Sequence, residues 1–435
     1  MKRHIVISSA LAAIFALSGN AGAVKLDIIS DIRIKASSYE DLIYIDGRES
    51  QTVYTEKASL GFVVKDITLP RRPLSRMDLG VVLQSVGTGG TESTVDAPQF
   101  QSGVGKYESV NGSPFVRNAY VKIYNFGRRG ITATFGRQDF TLGQGITLSS
   151  SDQGFPGARV EADSFFGLKT DLFAFRPYKS TAAYTVFGAS LYHPSDEGLW
   201  QFYHFRENTA SNVEALDYTA SSRSRSYTGA RYFLSRGELE FDGEFVMQGG
   251  SGKKTDGTKV DYEGSAFMMK GSWRQPLGFF GSSLLRLAYG RSSGNPDAVG
   301  GKDKAFFPMF GSKTDGGVER GGYGAIMGAS LYDTIKTSGT VNGMPEGVSG
   351  LNVINLGADM PYKRLFLSLD YFKYRASKNI NSNNRQLGTE LDFAVTWPMD
   401  KDLTIKAIYA MFTPGGLYPT DAKSKLVSAY IQARF

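Results

Sequence analysis

The side chains in this chain best equipped for chemistry are arginines and carboxylates, recurring at every second position. In the segment ELEFDGEFVM, Glu240, Asp242 and Glu244 fall on one side of an extended strand, and Leu239, Phe241, Phe245 and Met247 on the other. A guanidinium presents a planar fork of donors that matches carboxylate or phosphate, so arginines along one face can bind and release an anion. Carboxylates beside them would hold the forks in place and prevent irreversible capture. Other chemistries lack reagents. The chain has no cysteine, which removes thiolate metal sites, thiol nucleophiles and disulfides. Its only histidines are His4, His193 and His204, too few for a histidine zinc cluster or a histidine-based triad. No metal, cofactor or catalytic site is therefore expected. The formal charge of +7 is dispersed, without the basic run of a nucleic-acid arm.

Such residues need elements that put them all on one side. Residues 1–23 do not contribute: Met1 to His4 form a positive start, Ile5 to Leu17 an apolar stretch, and Ala21, Gly22 and Ala23 a small-residue cleavage site. That is the layout of a secretory signal peptide, leaving residues 24–435 as the mature chain. After it the longest charge-free stretch, 180–195, is too short and too polar for a membrane helix. Spans of period-two alternation recur instead. They are placed at 24–36, 52–66, 75–86, 114–125, 130–139, 158–166, 168–176, 183–194, 199–207, 225–235, 238–248, 261–274, 282–292, 348–360, 364–376, 386–397, 402–413 and 424–435. Eighteen strands follow, joined alternately by short turns and mostly long loops, as in an outer-membrane barrel. An even count places both termini on the short-turn, periplasmic side.

Two further signals agree with an all-β, antiparallel transmembrane barrel of the Gram-negative outer membrane. The last strand, KLVSAYIQARF, ends on Phe435 with Val427, Ala429, Ile431 and Ala433 on the same face. A terminal Phe of this kind resembles the signal read by the barrel assembly machinery. Trp273 and Trp397 lie near the short-turn ends of their strands, and Tyr289, Tyr371 and Tyr409 near the opposite ends, where aromatic belts meet the lipid interface. Closure is obligatory, because an open strand edge in lipid leaves backbone groups unpaired.

The parity opposite the apolar face names the lumen candidates. Basic ones are Arg33, Lys35, Lys57, Arg76, Arg159, Arg225, Arg231, Arg286 and Lys406. Acidic ones are Asp31, Asp78, Glu161, Asp163, Glu240, Asp242, Glu244, Asp359, Asp370, Glu390 and Asp392. Either these groups pair across the wall to keep the bore polar, or the arginines form a ladder for an anionic solute. Both roles are compatible with different residues. An eighteen-stranded bore is too wide for wall side chains to fill, so loops set its width. Residues 293–347, rich in glycine and carrying Lys302, Lys304, Lys313 and Arg320, fold either outward as a cap or inward as a constriction. The Gly, Ser and Thr-rich loop 87–113 poses the same question.

The densest motif spans 114–165. A hairpin ends in Gly136, Arg137 and Gln138, is followed by Gly143 and Gly145, and resumes with Phe155, Gly157 and Arg159. This pattern resembles the alginate-export family of outer-membrane barrels. The resemblance implies an eighteen-stranded barrel with an electropositive constriction passing an anionic polysaccharide or other solutes, and among the arginines it supports Arg137 and Arg159. Pro156 stands where the family pattern has an Asp, and Glu161 and Asp163 follow, which leaves the solute open. Arg137 shares parity with Phe135, so it reaches the lumen only through a bulge at Gly136 or above the membrane.

The expected function is a passive outer-membrane channel for anionic or saccharide solutes, not an enzyme. The alternative is a dedicated exporter of an anionic polysaccharide such as alginate; an adhesin and a barrel enzyme are the other rivals. The expected pathway comprises Arg137, Arg159, Arg225, Arg231, Arg286, Lys57 and Lys406. Its acidic lining comprises Glu161, Asp163, Glu240, Asp242, Glu244, Glu390 and Asp392. Expected partners are outer-membrane lipid, the assembly machinery at Phe435 and the solute, with no nucleic acid.

Overall fold

Alternation of apolar and polar residues makes strands that bury neither face against a second layer, and the chain closes on itself. The computed structural model describes residues 24–44, 47–90, 111–150, 153–163, 167–179, 182–209, 220–254, 257–278, 281–296, 301–308, 310–311, 323–331 and 343–435. The leader expected over 1–23 and most of the loop 87–113 lie outside the described residues.

The wall runs through β1 (Lys25–Tyr44), β2 (Gly47–Leu69), β3 (Arg72–Gly90), β4 (Phe115–Tyr124), β5 (Ile131–Gln138) and β6 (Phe155–Asp163). It continues with β7 (Lys169–Phe175), β8 (Thr185–Ser195), β9 (Gly198–Thr209), β10 (Ala220–Arg236), β11 (Leu239–Lys254) and β12 (Gly264–Pro276). It ends with β13 (Ser282–Ser292), β14 (Val348–Tyr362), β15 (Leu365–Asn379), β16 (Gln386–Pro398), β17 (Leu403–Pro414) and β18 (Ser424–Arg434). Each strand pairs antiparallel with the next, and β1 pairs with β18 from Asp31 beside Arg434 to Glu40 beside Lys425. The seam is sealed at its end by Ser30 and Phe435, whose backbones exchange hydrogen bonds of 3.1 and 3.0 Å. The eighteen strands and their order agree with the alternation.

The outward faces are what a bilayer requires: Ile28, Leu60, Leu287 and Val427 are more than half exposed, although each is apolar. All three tryptophans, Trp200, Trp273 and Trp397, lie outward within a few residues of a short turn, and Trp200 packs on Tyr232 at 4.5 Å between ring centres. Among the described residues no helix is long and apolar enough to cross a membrane.

Two features differ from the sequence reading. The first hairpin has no long loop: β1 runs on to Tyr44 and β2 starts at Gly47, with a register shift between Tyr39 and Leu42. Beyond the lipid, strand pairing continues without alternation to mark it, and the bulge turns Leu42 and Ile43 into the apolar interior. The second difference is inside. The described parts of 139–154 and of 293–347 fold into the bore, so the question posed for 293–347 is answered inward. The two segments meet where the N–H of Ser149 donates to the carbonyl of Phe310 at 2.7 Å.

Candidate functional site

Because segments fill part of the bore, the lumen face of the wall is divided. Toward the long loops, Phe173 and Phe175 on β7, Phe205 on β9, Tyr227 on β10 and Val246 on β11 point inward and are buried. They pack with Phe140, Leu142, Leu148, Phe306 and Phe310 of the inward segments, for instance Phe140 on Phe173 at 4.7 Å and Tyr184 on Phe310 at 5.0 Å between ring centres. A wall that must carry a plug is apolar on both faces there.

Charged wall residues then fix the plug. Arg225 is completely buried; its guanidinium donates to the carbonyl of Phe307, lies 3.8 Å from Glu207 and stacks 4.4 Å from the Tyr262 ring centre. Arg231 binds both oxygens of Asp242 at 2.8 Å and gives a third bond, also 2.8 Å, to the carbonyl of Gly143. Glu244 accepts from the hydroxyl of Tyr203 at 2.5 Å and from the N–H of Gln144. Across the bore, Glu390 accepts from the N–H groups of Ile326 and Met327 at 2.6 and 2.9 Å, and Asp392 from that of Ala325 at 2.9 Å. Three successive amides are thus caught by two carboxylates. Gly324 at the entrance has φ +86, and a Cβ there would strike the Tyr374 hydroxyl and Glu390, so only glycine fits.

Other candidates pair along the wall. Arg159 binds both oxygens of Asp171 at 3.0 Å and Glu161 at 2.8 Å, beneath the Phe140 ring at 5.3 Å. Arg286 bridges Asp359 and Asp370, each at 2.9 Å. Asp163 and Glu240 lie exposed near the short turns, Asp163 3.8 Å from Lys169 and Glu240 accepting from Ser272 at 3.4 Å.

Arg137 sits elsewhere. Gly136 has φ +109, but Arg137 stays in register beside Ala119 on one neighbour and Pro156 on the other, without a bulge. It therefore keeps the outward parity of Phe135, and its guanidinium donates to the carbonyl of Val116 at 3.2 Å.

The remaining cations form one surface. Arg33 of β1 lies beside Lys57 of β2 and Gln432 of β18, and Tyr430 lies between Lys35 of β1 and Lys406 of β17. All four cations face inward and are half-buried. At their level these strands carry one inward carboxylate, Asp31, which accepts from Gln432 at 2.9 Å and Arg434 at 3.2 Å. In a closed ring of eighteen strands, β1 stands opposite β10, so this basic wall faces the side where Arg225 and Arg231 hold the plug.

Asp171 and Glu207 were absent from the sequence candidates. They share a face with Phe173 and Phe205, and alternation by itself assigns such a face to lipid. The signal available was neighbouring-strand register, which places Asp171 beside Glu161.

A closed, lipid-girdled ring with charged groups directed into a narrowed bore defines an outer-membrane β-barrel of the porin class. Solved porins share its architecture. A BenF-like porin from Pseudomonas fluorescens Pf-5 superposes with TM-score 0.58 at 11% identity, covering 94% of this chain and 98% of that one. Pseudomonas aeruginosa OccK2 (OpdF) in complex with glucuronate gives 0.56 at 11% over 94% and 98%, and Acinetobacter baumannii OccAB1 gives 0.54 at 11% over 94% and 97%. Comparison with curated proteins returns no match. The chain belongs to the alginate export family, whose model matches residues 111–430. It is a protein of the Gram-negative outer membrane.

Proposed function

We propose that this barrel is a passive channel, without enzymatic activity, for small anionic or saccharide solutes, which move between the basic wall of β17, β18, β1 and β2 and the inward segments opposite. The observation that carries this reading is the clustering of Lys57, Lys406, Arg33 and Lys35 on three of four adjacent strands facing a braced constriction. Lysines attract an anion as compact charges without a rigid fork, which suits passage rather than capture. Arg159, Arg231 and Arg286 act less directly, because carboxylates already occupy their forks; they set the shape and local field of the bore. Arg225 acts only by holding the plug. The glucuronate held by one porin of the same architecture is a solute of the proposed kind.

Export of an anionic polysaccharide is the second reading, favoured by the family match. Both readings place the short turns and both chain ends on the periplasmic side. Both also have the strand ending in Phe435 recognised by the barrel assembly machinery, as its exposed apolar face suggests.

Planar-bilayer recording tests the proposal. Stable conductance with a reversal potential toward anion selectivity is expected under a salt gradient. No conductance overturns the channel, and cation selectivity overturns the role of the basic wall. Polyuronate added on the short-turn side separates the two readings: chain translocation supports export, and unaffected current supports the small-solute channel.

A further inference from the structure

Arg137 on the lipid side has company. By register, Phe135 of β5, Ala158 of β6, Ala174 of β7, Phe187 of β8 and Arg206 of β9 form one outward row across five strands. In that row and the one below it, Ala158, Ala174 and Ala189 floor a groove of about 640 Å³ walled by Leu172 and Phe187, with His204 and Arg206 lining it as well. One row nearer the long loops stands Arg137 beside Pro156, and the N–H of Arg176 donates to that same Pro156 at 2.9 Å. Outward arginines therefore occur on β5, just past the end of β7 and on β9, alternate strands roughly 10 Å apart at the usual strand spacing.

Outward cations recur near the long loops at Arg291, Lys373 and Arg375, but the rows beneath those carry Tyr289, Ile354 and Leu356 in place of alanines. On β10, beside Arg206 and Asn208, the same two rows carry Ser226 and Ser224. Arg176 and Arg206 are exposed and, among the described residues, make no ion pair. An arginine on the lipid face is tolerated near the interface, where its head reaches the polar layer. There its fork meets phosphate in the geometry it favours. The small-residue groove lies beside them, lined mainly by apolar side chains that a hydrocarbon chain can cover.

We propose that this outward face of β5–β9 is a binding site for a phosphorylated lipid of the outer leaflet. Its phosphate is held by Arg176 and Arg206 with Arg137 at the edge, and an acyl chain lies over Ala158, Ala174 and Ala189. The site depends on the long loops facing the cell exterior and not on what passes through the bore.

Native mass spectrometry of the full barrel in detergent, with added lipid A, dephosphorylated lipid A or phosphatidylethanolamine, tests the site. Lipid A is expected to be retained at about one per barrel, and the other two at least tenfold less. Arg176→Gln with Arg206→Gln is expected to lower lipid A retention by at least tenfold. Ala174→Trp, which fills the groove and leaves the arginines in place, is expected to lower it as well. Heat-modifiable migration confirms that each variant is folded, and Arg206→Lys serves as a conservative substitute. Unchanged retention in the double variant overturns the proposal, as does equal retention of the dephosphorylated lipid. A second copy of the barrel bound at this face, lost in Ala174→Trp, overturns it too. Single-channel conductance of the double variant is expected to equal that of the parent, so failure here is distinct from failure of the channel reading.

Discussion

The walls on opposite sides of the bore use the same side chains for different ends. On β10 and β11, Arg225, Arg231, Asp242 and Glu244 direct their donors and acceptors to each other and to the backbone of the inward segments. On β17, β18, β1 and β2, Lys406, Arg33, Lys35 and Lys57 stand together at a level where a single carboxylate, Asp31, faces inward. The difference lies in what covers them. Where a loop folds over the wall, a buried charge must be paired, and the pairing becomes a brace. Where no described segment lies over the wall, like charges can stand near each other and give the bore its sign. An inward charge in such a barrel is thus read by what lies over it.

The comparison breaks first at Arg225. Its replacement by Ala leaves Glu207 buried without its cation, which costs about 3–5 kcal/mol for a pair of this kind. The temperature at which the folded band disappears in a heat-modifiability assay should fall markedly, and an unchanged temperature would mean that this side is not braced. Next in size is Glu390→Gln with Asp392→Asn, which weakens three bonds to the amides of Ala325, Ile326 and Met327. Bonds to charged groups contribute about 1.5–3 kcal/mol each, part of which the neutral amides keep. Hydrogen exchange at those three amides should accelerate and channel noise should rise, with little change in ion selectivity. Unaltered exchange would show that the aromatic packing alone holds the segment.

The open wall gives the opposite signature. Lys57→Glu with Lys406→Glu should leave folding temperature nearly unchanged, because both side chains are half-exposed. It should move the reversal potential toward cation selectivity. If Arg231→Ala moved that potential as far, the division between bracing wall and steering wall would fail. Bilayer recordings of the two variants under one salt gradient decide between them.

Much of this was legible in the chain itself. Period-two alternation identifies a strand and its lipid face together, since a one-residue error would turn Ile28 or Val427 into the bore and charged neighbours into lipid. Strand number and order therefore follow from local pattern. The fate of 293–347 does not, because its fixing points are far away in sequence: Phe307 meets Arg225, and Ile326 meets Glu390. The same plug explains why Asp171 and Glu207 were hidden. It dries the lumen face, so that Phe173 and Phe205 can occupy it, and parity then no longer separates bore from bilayer. Gly136 is a third case. Its positive φ is absorbed without a change of register, so Arg137 keeps the outward side that simple counting gives.

The smallest expected effect sharpens the comparison from the neutral side. Asp163 and Glu240 share the inward parity of Glu161 and Asp242, but they lie at the short-turn ends, exposed and beyond the reach of either inward segment. Water screens them, and an exposed contact such as that between Asp163 and Lys169 contributes about 0–1 kcal/mol. Asp163→Asn with Glu240→Gln should therefore change folding temperature only slightly and the reversal potential by less than the Lys57 and Lys406 pair. A large shift in selectivity from this pair would move the steering level to the mouth at the short turns, and the four cations of the open wall would then be scaffold rather than pathway.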